Sequence, residues 1–188
     1  MLFFLGEKML NVEHSILHVD GSISQYLNES QKVEKIAGIG GYLLTNNRVR
    51  DTFYKILGEE IPFINHHEEH AVIEGIRWCK QKNIRQLIVR TDSIYSYKIF
   101  NNCKKIHGQE DKFFLLQYLM LEYSFEHLEV QYFNRKENDL SHNLSRKYLT
   151  EFIKKNSLKK HDTVTEIKKE HTKDELRKAI TSNIMSFL

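Results

Sequence analysis

The 188-residue chain has only two cysteines, Cys79 and Cys103, far apart and in no CxxC pair. That excludes a disulfide scaffold and a structural zinc site and fits a reducing, cytoplasmic setting. There is a single proline, Pro62, and no apolar run near the roughly 20 residues that span a bilayer, so no membrane span is expected. The opening Met1-Leu2-Phe3-Phe4-Leu5 is cut short by Gly6-Glu7-Lys8 and has no basic residues ahead of it, which excludes a signal peptide. Met9 is an alternative start that would make the first eight residues dispensable. Phosphate-cradling glycine loops are missing too. Gly38-Ile39-Gly40-Gly41 matches neither GxxxxGKS/T nor GxGxxG, and reads as a tight backbone crossing in a sheet. Charge of one sign is nearly absent from the body of the chain. Residues 1–150 carry 19 basic and 19 acidic side chains, whereas residues 151–188 carry nine against six. Any non-specific pull on a polyanion therefore comes mainly from the tail and local patches.

What is present begins with Ile16-Leu17-His18-Val19-Asp20-Gly21-Ser22-Ile23, a run of β-formers with an acid near its end and a glycine that lets another backbone approach. The polar stretch Ser24 to Lys35 reads as a loop. Gly38 to Leu44 enters a second strand, Asn46-Asn47 is a hairpin turn, and Val49 to Leu57 is a third strand, completing an antiparallel meander. From His66 to Lys82 the period becomes helical, with Ala71, Val72, Gly75, Ile76 and Cys79 on one face. Glu68 heads that face, a costly place for an acid without a partner or a metal. Leu87 to Ser93 is a buried-type strand ending at Asp92. Helices are expected at Ile94 to Asn101 and Phe113 to Tyr123, the latter as a core helix, with a basic Lys104-Lys105 loop between them. Leu128 to Phe133 alternates as a fifth strand. Asn138 or Asp139 caps a last helix to about Ile153, with Leu140, Leu144 and Tyr148 on one face and His142 in its first turn. These divisions give an N-terminal extension (1–14), a domain (15–153), and a tail (154–188). The tail divides into a Lys-rich linker to Thr172 and an amphipathic helix striped by Leu176, Ile180, Ile184 and Phe187. Docking of that helix on its own domain is the default expectation, with a protein partner or a membrane surface as alternatives.

The order β-β-β-α-β-α-α-β-α puts Asp20 and Asp92 at the carboxyl ends of neighbouring parallel strands, with Glu68 at the head of a helix over the same cleft. Three converging carboxylates repel one another unless cations neutralise them. An all-oxygen set suits Mg²⁺ or Mn²⁺, and a pair of such ions serves phosphodiester cleavage. His66-His67-Glu68-Glu69-His70 fails the HExxH spacing of a zinc protease. Asp20-Gly21-Ser22 lacks the Asp-x-Glu of a 3′-5′ exonuclease. A non-catalytic module that binds nucleic acid or protein is the remaining rival.

Four motifs in order resemble type 1 ribonuclease H and the wider ribonuclease-H-like domains across roughly residues 15 to 150. Asp20-Gly21-Ser22 is similar to the family's D-G-S. Asn65 to Gly75 is similar to N-x-x-E-x-x-A-L-x-x-G/A. Thr91-Asp92-Ser93 is similar to its D-S, and Arg135 to Asn138 to its R-x-x-N run. The resemblance implies an α/β fold: a five-stranded mixed sheet, three strands antiparallel and then two parallel, flanked by helices and followed by a helical tail. It implies that Asp20, Glu68 and Asp92 hold two Mg²⁺ or Mn²⁺ ions, with Asp20 bridging. Gly21, Ser22, Asn65, Ser93 and Asn138 would contact nucleic acid. The implied reaction is hydrolysis of the RNA strand of an RNA–DNA hybrid, leaving a 5′-phosphate and a 3′-hydroxyl, with the 2′-hydroxyls marking the RNA. Where the family has a fourth Asp this chain has His142. His142 is then a ligand that favours Mn²⁺, or the site is weakened or silent, or Asp139 reaches in instead. The family's glycine-proline-rich loop after the first strand and its basic, Trp-rich handle are both absent.

Overall fold

The computed structural model describes residues 14–28, 30–101 and 108–160. A long hairpin opens the fold: β1 (Ser15–Leu27) pairs antiparallel with β2 (Val33–Thr45) from Ile16↔Leu44 to Leu27↔Val33. Asn46 and Asn47 both take positive φ, 53° and 57°, the two-residue turn expected of an Asn-Asn pair, and lead into β3 (Arg48–Leu57). After α1 (His67–Gln81), β4 (Gln86–Thr91) pairs parallel with β1. Then come α2 (Ile94–Phe100), α3 (Gln109–Glu122), β5 (His127–Tyr132) parallel to β4, a 3₁₀ turn (Arg135–Glu137) and α4 (Asp139–Lys155). The strand order β3-β2-β1-β4-β5 is the expected mixed sheet, three strands antiparallel and two parallel. A short β6 (Lys159–Lys160) is added, pairing with β1 at Tyr26 and Leu27.

Alternation along β1 sorts the two faces. Leu17 and Val19 point to α1, whose stripe of Ala71, Val72, Gly75, Ile76 and Cys79 is buried as the helical spacing predicts. A Cβ on Gly75 would lie 2.7 Å from Leu17 Cδ2, so the glycine sets how closely α1 seats. Asp20 points to the opposite face, which α4 covers. The core between sheet and α1 is closed by Phe114 of α3.

The structure revises three expectations. Ser24 to Leu27 and Val33 to Lys35 are not loop, because the β1–β2 ladder continues through them as a ribbon as far as Leu27↔Val33. Tyr26 Oη donates to Glu34 Oε2 (2.8 Å) and Asn28 Nδ2 to Glu34 Oε1 (2.6 Å). A ribbon half-exposed on both faces needs no apolar alternation, so its composition resembles a loop. In α4 the buried positions are Ser141, Ser145 and Leu149, while Leu140 is exposed and Leu144 and Tyr148 are half-buried. The cause lies in β2: a Cβ on Gly38 would sit 2.5 Å from the Ser145 carbonyl oxygen and 2.8 Å from Leu149 Cβ. Helix backbone lies on strand backbone there, and only small side chains fit between. Tyr148 instead stacks flat on Tyr54 of β3 at 3.5 Å. Finally, α3 is buried only at Asp111, Phe114 and Tyr118, because it is the outermost helix and packs on α1 and α2 by one side. No helix among the described residues is long and apolar enough to cross a membrane. The N-terminal extension up to residue 13, the Lys104-Lys105 loop, and the tail beyond residue 160 lie outside the described residues.

Candidate metal centre

The site forms where the sheet changes width. β1 pairs with β4 only as far as His18↔Arg90. Asp20 lies just beyond that last pair, and Asp92 directly follows β4. Parallel strands open their carboxyl ends on the same side, so the two acids face one cleft. α1 delivers the third. A Cβ on Gly21 would lie 2.6 Å from the His67 carbonyl oxygen, so only glycine lets the head of α1 come this close. The Gly21 N–H then donates to Glu68 Oε2 at 3.2 Å. Carboxylate oxygens of Asp20, Glu68 and Asp92 all lie within 4.8 Å of one another.

This cluster carries negative charge that little offsets. Burial pushes the Asp20 carboxyl above its usual range, and Asp92 adds to the effect against hydrogen bonds from Ser145 and His142. Burial, then the charges of Asp20 and Asp92, push Glu68 well above its ordinary value. The nearest cationic group of Arg135, Nε, is 3.9 Å from Asp92 Oδ2 on a side chain 72% exposed. An all-oxygen donor set, crowded and under-neutralised, fits a hard divalent cation. Asp20, Glu68 and Asp92 are the residues that could hold one.

His142 lies at the margin of the cluster, Nδ1 3.3 Å from Asp20 Oδ2. Asp139 is exposed and outside the cluster. Asn138 is fully buried: Nδ2 donates to the Val19 carbonyl at 3.0 Å and Oδ1 accepts from Ser141, so it pins α4 to β1. Ser22 is half-buried, and its hydroxyl has no hydrogen-bond partner. Asn65 is exposed at the rim, where its Oδ1 accepts from Lys35 Nζ at 2.9 Å. Ser93 caps α2, its hydroxyl accepting from the Ser96 N–H at 3.2 Å.

Two groups of residues were not anticipated. Ser145 Oγ donates to Asp20 Oδ2 at 2.6 Å, reaching it because Gly38 and Gly40 let α4 lie on β2. A Ser-x-x-x-Ser step in a helix set against Gly-x-Gly in a strand is the signal that could have found it. The second group is a clasp between α1 and α2. Buried Glu69 accepts from Ser96 Oγ (2.6 Å) and lies 3.4 Å from His66 Nδ1. Burial alone would raise its pKa, but the hydrogen bonds from His66 and Ser96 outweigh burial and hold the carboxyl below its usual range. Adjacent acids in one helical turn thus have their pKa values pushed in opposite directions. Glu68 crowds other acids, while Glu69 ties the helix that carries Glu68 to the helix that follows Asp92.

The reverse transcriptase-like family profile matches residues 27–148. No curated protein matches the chain. Among solved structures, the ribonuclease H type 1 of the halophilic archaeon Halobacterium salinarum superposes with a TM-score of 0.62 at 14% identity, over 73% of this chain and 98% of that one. A type 1 ribonuclease H isolated from compost, solved with an RNA/DNA hybrid, gives 0.62 at 15%, over 74% and 99%. The N-terminal ribonuclease H domain of a Mycobacterium tuberculosis protein gives 0.59 at 14%, over 75% and 98%. At these identities the likeness is one of fold.

Proposed function

The chain belongs to the reverse transcriptase-like family of ribonuclease-H-like domains, and from that premise we propose that it is a metal-dependent endonuclease hydrolysing the RNA strand of RNA–DNA hybrids. The observation that carries the reading is the convergence of Asp20, Glu68 and Asp92 within 4.8 Å at the carboxyl ends of two parallel strands. A pair of Mg²⁺ or Mn²⁺ ions, when bound, supplies Lewis acidity for displacement at phosphorus. Asp20, Glu68 and Asp92 would hold the ions, with Asp20 the most deeply buried of the three. Ser145 holds one Asp20 oxygen, which leaves the other free to turn to the cleft. His142, whose Nδ1 lies 3.3 Å from Asp20 Oδ2, would be the fourth ligand and would bias the set toward Mn²⁺. Gly21, Ser22, Asn65 and Ser93 flank the acids and would meet the substrate backbone, Ser22 through its main chain because its hydroxyl is buried, with Lys35 beside Asn65 supplying charge to a phosphate. Asn138 acts from within, fixing the turn that carries His142. In the reaction, the water oxygen bonds to phosphorus, the bond to the 3′ oxygen breaks, and that oxygen takes up a proton. The products are a 5′-phosphate and a 3′-hydroxyl.

A module that binds hybrid without cutting it is the second reading, and the presence of His142 in place of a fourth carboxylate favours it. The test is cleavage of a labelled hybrid in Mg²⁺ and in Mn²⁺ by the native chain, Asp20→Asn and His142→Asp. Cleavage lost in Asp20→Asn supports the nuclease. A Mn²⁺ bias relieved by His142→Asp assigns the fourth ligand. Cleavage by none of the three proteins, with binding retained, rejects the nuclease in favour of the module.

A further inference from the structure

The outward face of α3 is apolar and uncovered among the described residues. Leu116, Leu119, Met120 and Tyr123 recur at i, i+3, i+4 and i+7 and are 51%, 42%, 49% and 93% exposed. A groove alongside, floored by Leu115 and Leu128, carries Glu122 and Glu129 on its rim. A contiguous apolar helix face with a polar rim is a docking surface in search of an occupant. The chain itself contains one that matches. Beyond the last described residue, Leu176, Ile180, Ile184 and Phe187 form a second helical stripe, with Arg177 and Lys178 beside it. A 16-residue helix is marginal alone in water and needs a surface to bury its stripe.

We propose that residues 173–188 form a helix that docks on the outer face of α3, apolar stripe to apolar stripe, with Arg177 and Lys178 against the acidic rim. Reach permits it. Residues 161–172 extend to about 40 Å, whereas a domain of this size has a radius of gyration of about 15 Å. Two other occupants fit less well. A second copy on this face would bring the Glu122 and Glu129 rims of both chains to one seam, where like charges repel. An anionic membrane would find only three basic against two acidic residues in 173–188. The proposal is independent of whether the acidic cluster cleaves RNA.

Disulfide trapping in the full chain tests it. In a Cys103→Ser background, Met120→Cys is paired with Ile180→Cys, and Thr52→Cys on β3 with Ile180→Cys serves as control. Native Cys79 is buried and does not compete. Docking raises the local concentration of the first pair, so its intrachain disulfide is expected to form about tenfold faster than the control. Equal rates overturn the proposal. So does trapping only between chains, which assigns the face to a second copy. Capture of the segment by anionic phospholipid vesicles in place of intrachain trapping overturns it as well. A second readout avoids cysteines: Leu119→Glu, at an exposed position, is expected to speed tryptic cleavage at Arg177–Lys178 about tenfold with unchanged circular dichroism. Unchanged cleavage rejects the contact.

Discussion

Replacing Asp20 with Asn is expected to make the metal-free protein more stable. Asp20 takes part in two carboxylate pairs with separations within 4.8 Å; at an effective dielectric of about 20, unit charges at that spacing repel by about 3.5 kcal/mol per pair. Part of this is relieved at neutral pH by proton uptake, since both Asp20 and Glu68 are pushed upward. Asparagine keeps an oxygen to accept from Ser145 Oγ and removes only the charge. A net gain of about 1–3 kcal/mol remains after proton uptake and the loss of the His142 contact are allowed for. The assay is urea unfolding at pH 7.5 in a chelator, repeated with Mg²⁺ or Mn²⁺. Carboxyls raised in the folded state cost stability above their folded pKa and cease to do so as pH falls toward the unfolded values of 3.8 and 4.5. The gap between variant and native protein should therefore narrow on acidification. With divalent ions the gap should close or reverse: a site at a hundredfold excess over its dissociation constant gains about 2.7 kcal/mol, and the variant should lose most of that. A variant less stable than the native chain in chelator, or equally stabilised by metal, would refute the reasoning.

Gly38→Ala places a methyl group 2.5 Å from the Ser145 carbonyl, so α4 must move; a loss of about 1–3 kcal/mol in urea unfolding is expected. Buried His18, stacked on Tyr42 at 4.6 Å, has its pKa lowered to about 4 by burial and then by Arg90. It is neutral when folded, so stability is complete above pH 6.5 and falls as pH drops toward 4, by about 3 kcal/mol from this residue. His18→Phe, which keeps the stacking, should flatten that slope in unfolding curves between pH 7 and 4.5. Glu69→Ala removes the carboxylate that Ser96 and His66 share, leaving Ser96 only Ser93 Oγ to donate to, and should cost about 1–3 kcal/mol. It should also weaken divalent-ion binding by calorimetry, because the start of α2 is no longer held against α1.

Much of the fold was legible because it is encoded locally. The run around Asp20, the Asn46-Asn47 turn and the stripe from Ala71 to Cys79 each carry their own period or turn chemistry, and the acids fall at element ends that topology brings together. The rest was set at a distance. The inner face of α4 depends on glycines about a hundred residues earlier, and without them Leu140 and Leu144 look like the better buried pair. The ribbon strands, Ser24 to Leu27 and Val33 to Lys35, are polar because neither of their faces is more than partly covered. Glu68 and Glu69 are the same residue type side by side, and only the helical rotation of about 100° between them decides which joins the cluster. Asn138 looks like a cap and is instead a pin, a difference that rests on Val19 lying opposite.

The uneven partnering of β1 has a consequence for self-association. On the side where β4 stops, β1 has no strand partner among the described residues from Val19 to Gln25, and β6 resumes pairing at Tyr26. An open strand edge is a template for foreign strands. Here it is reduced to a short window, closed at one end by β4 and at the other by Lys159 and Lys160, and filled at Gly21 by the Glu68 carboxylate. The same acid that crowds the acidic cluster blocks a backbone donor that another chain would otherwise seek. A chain ending before Lys159 would lengthen the window to Leu27 and should aggregate more readily, whatever its effect on the cleft.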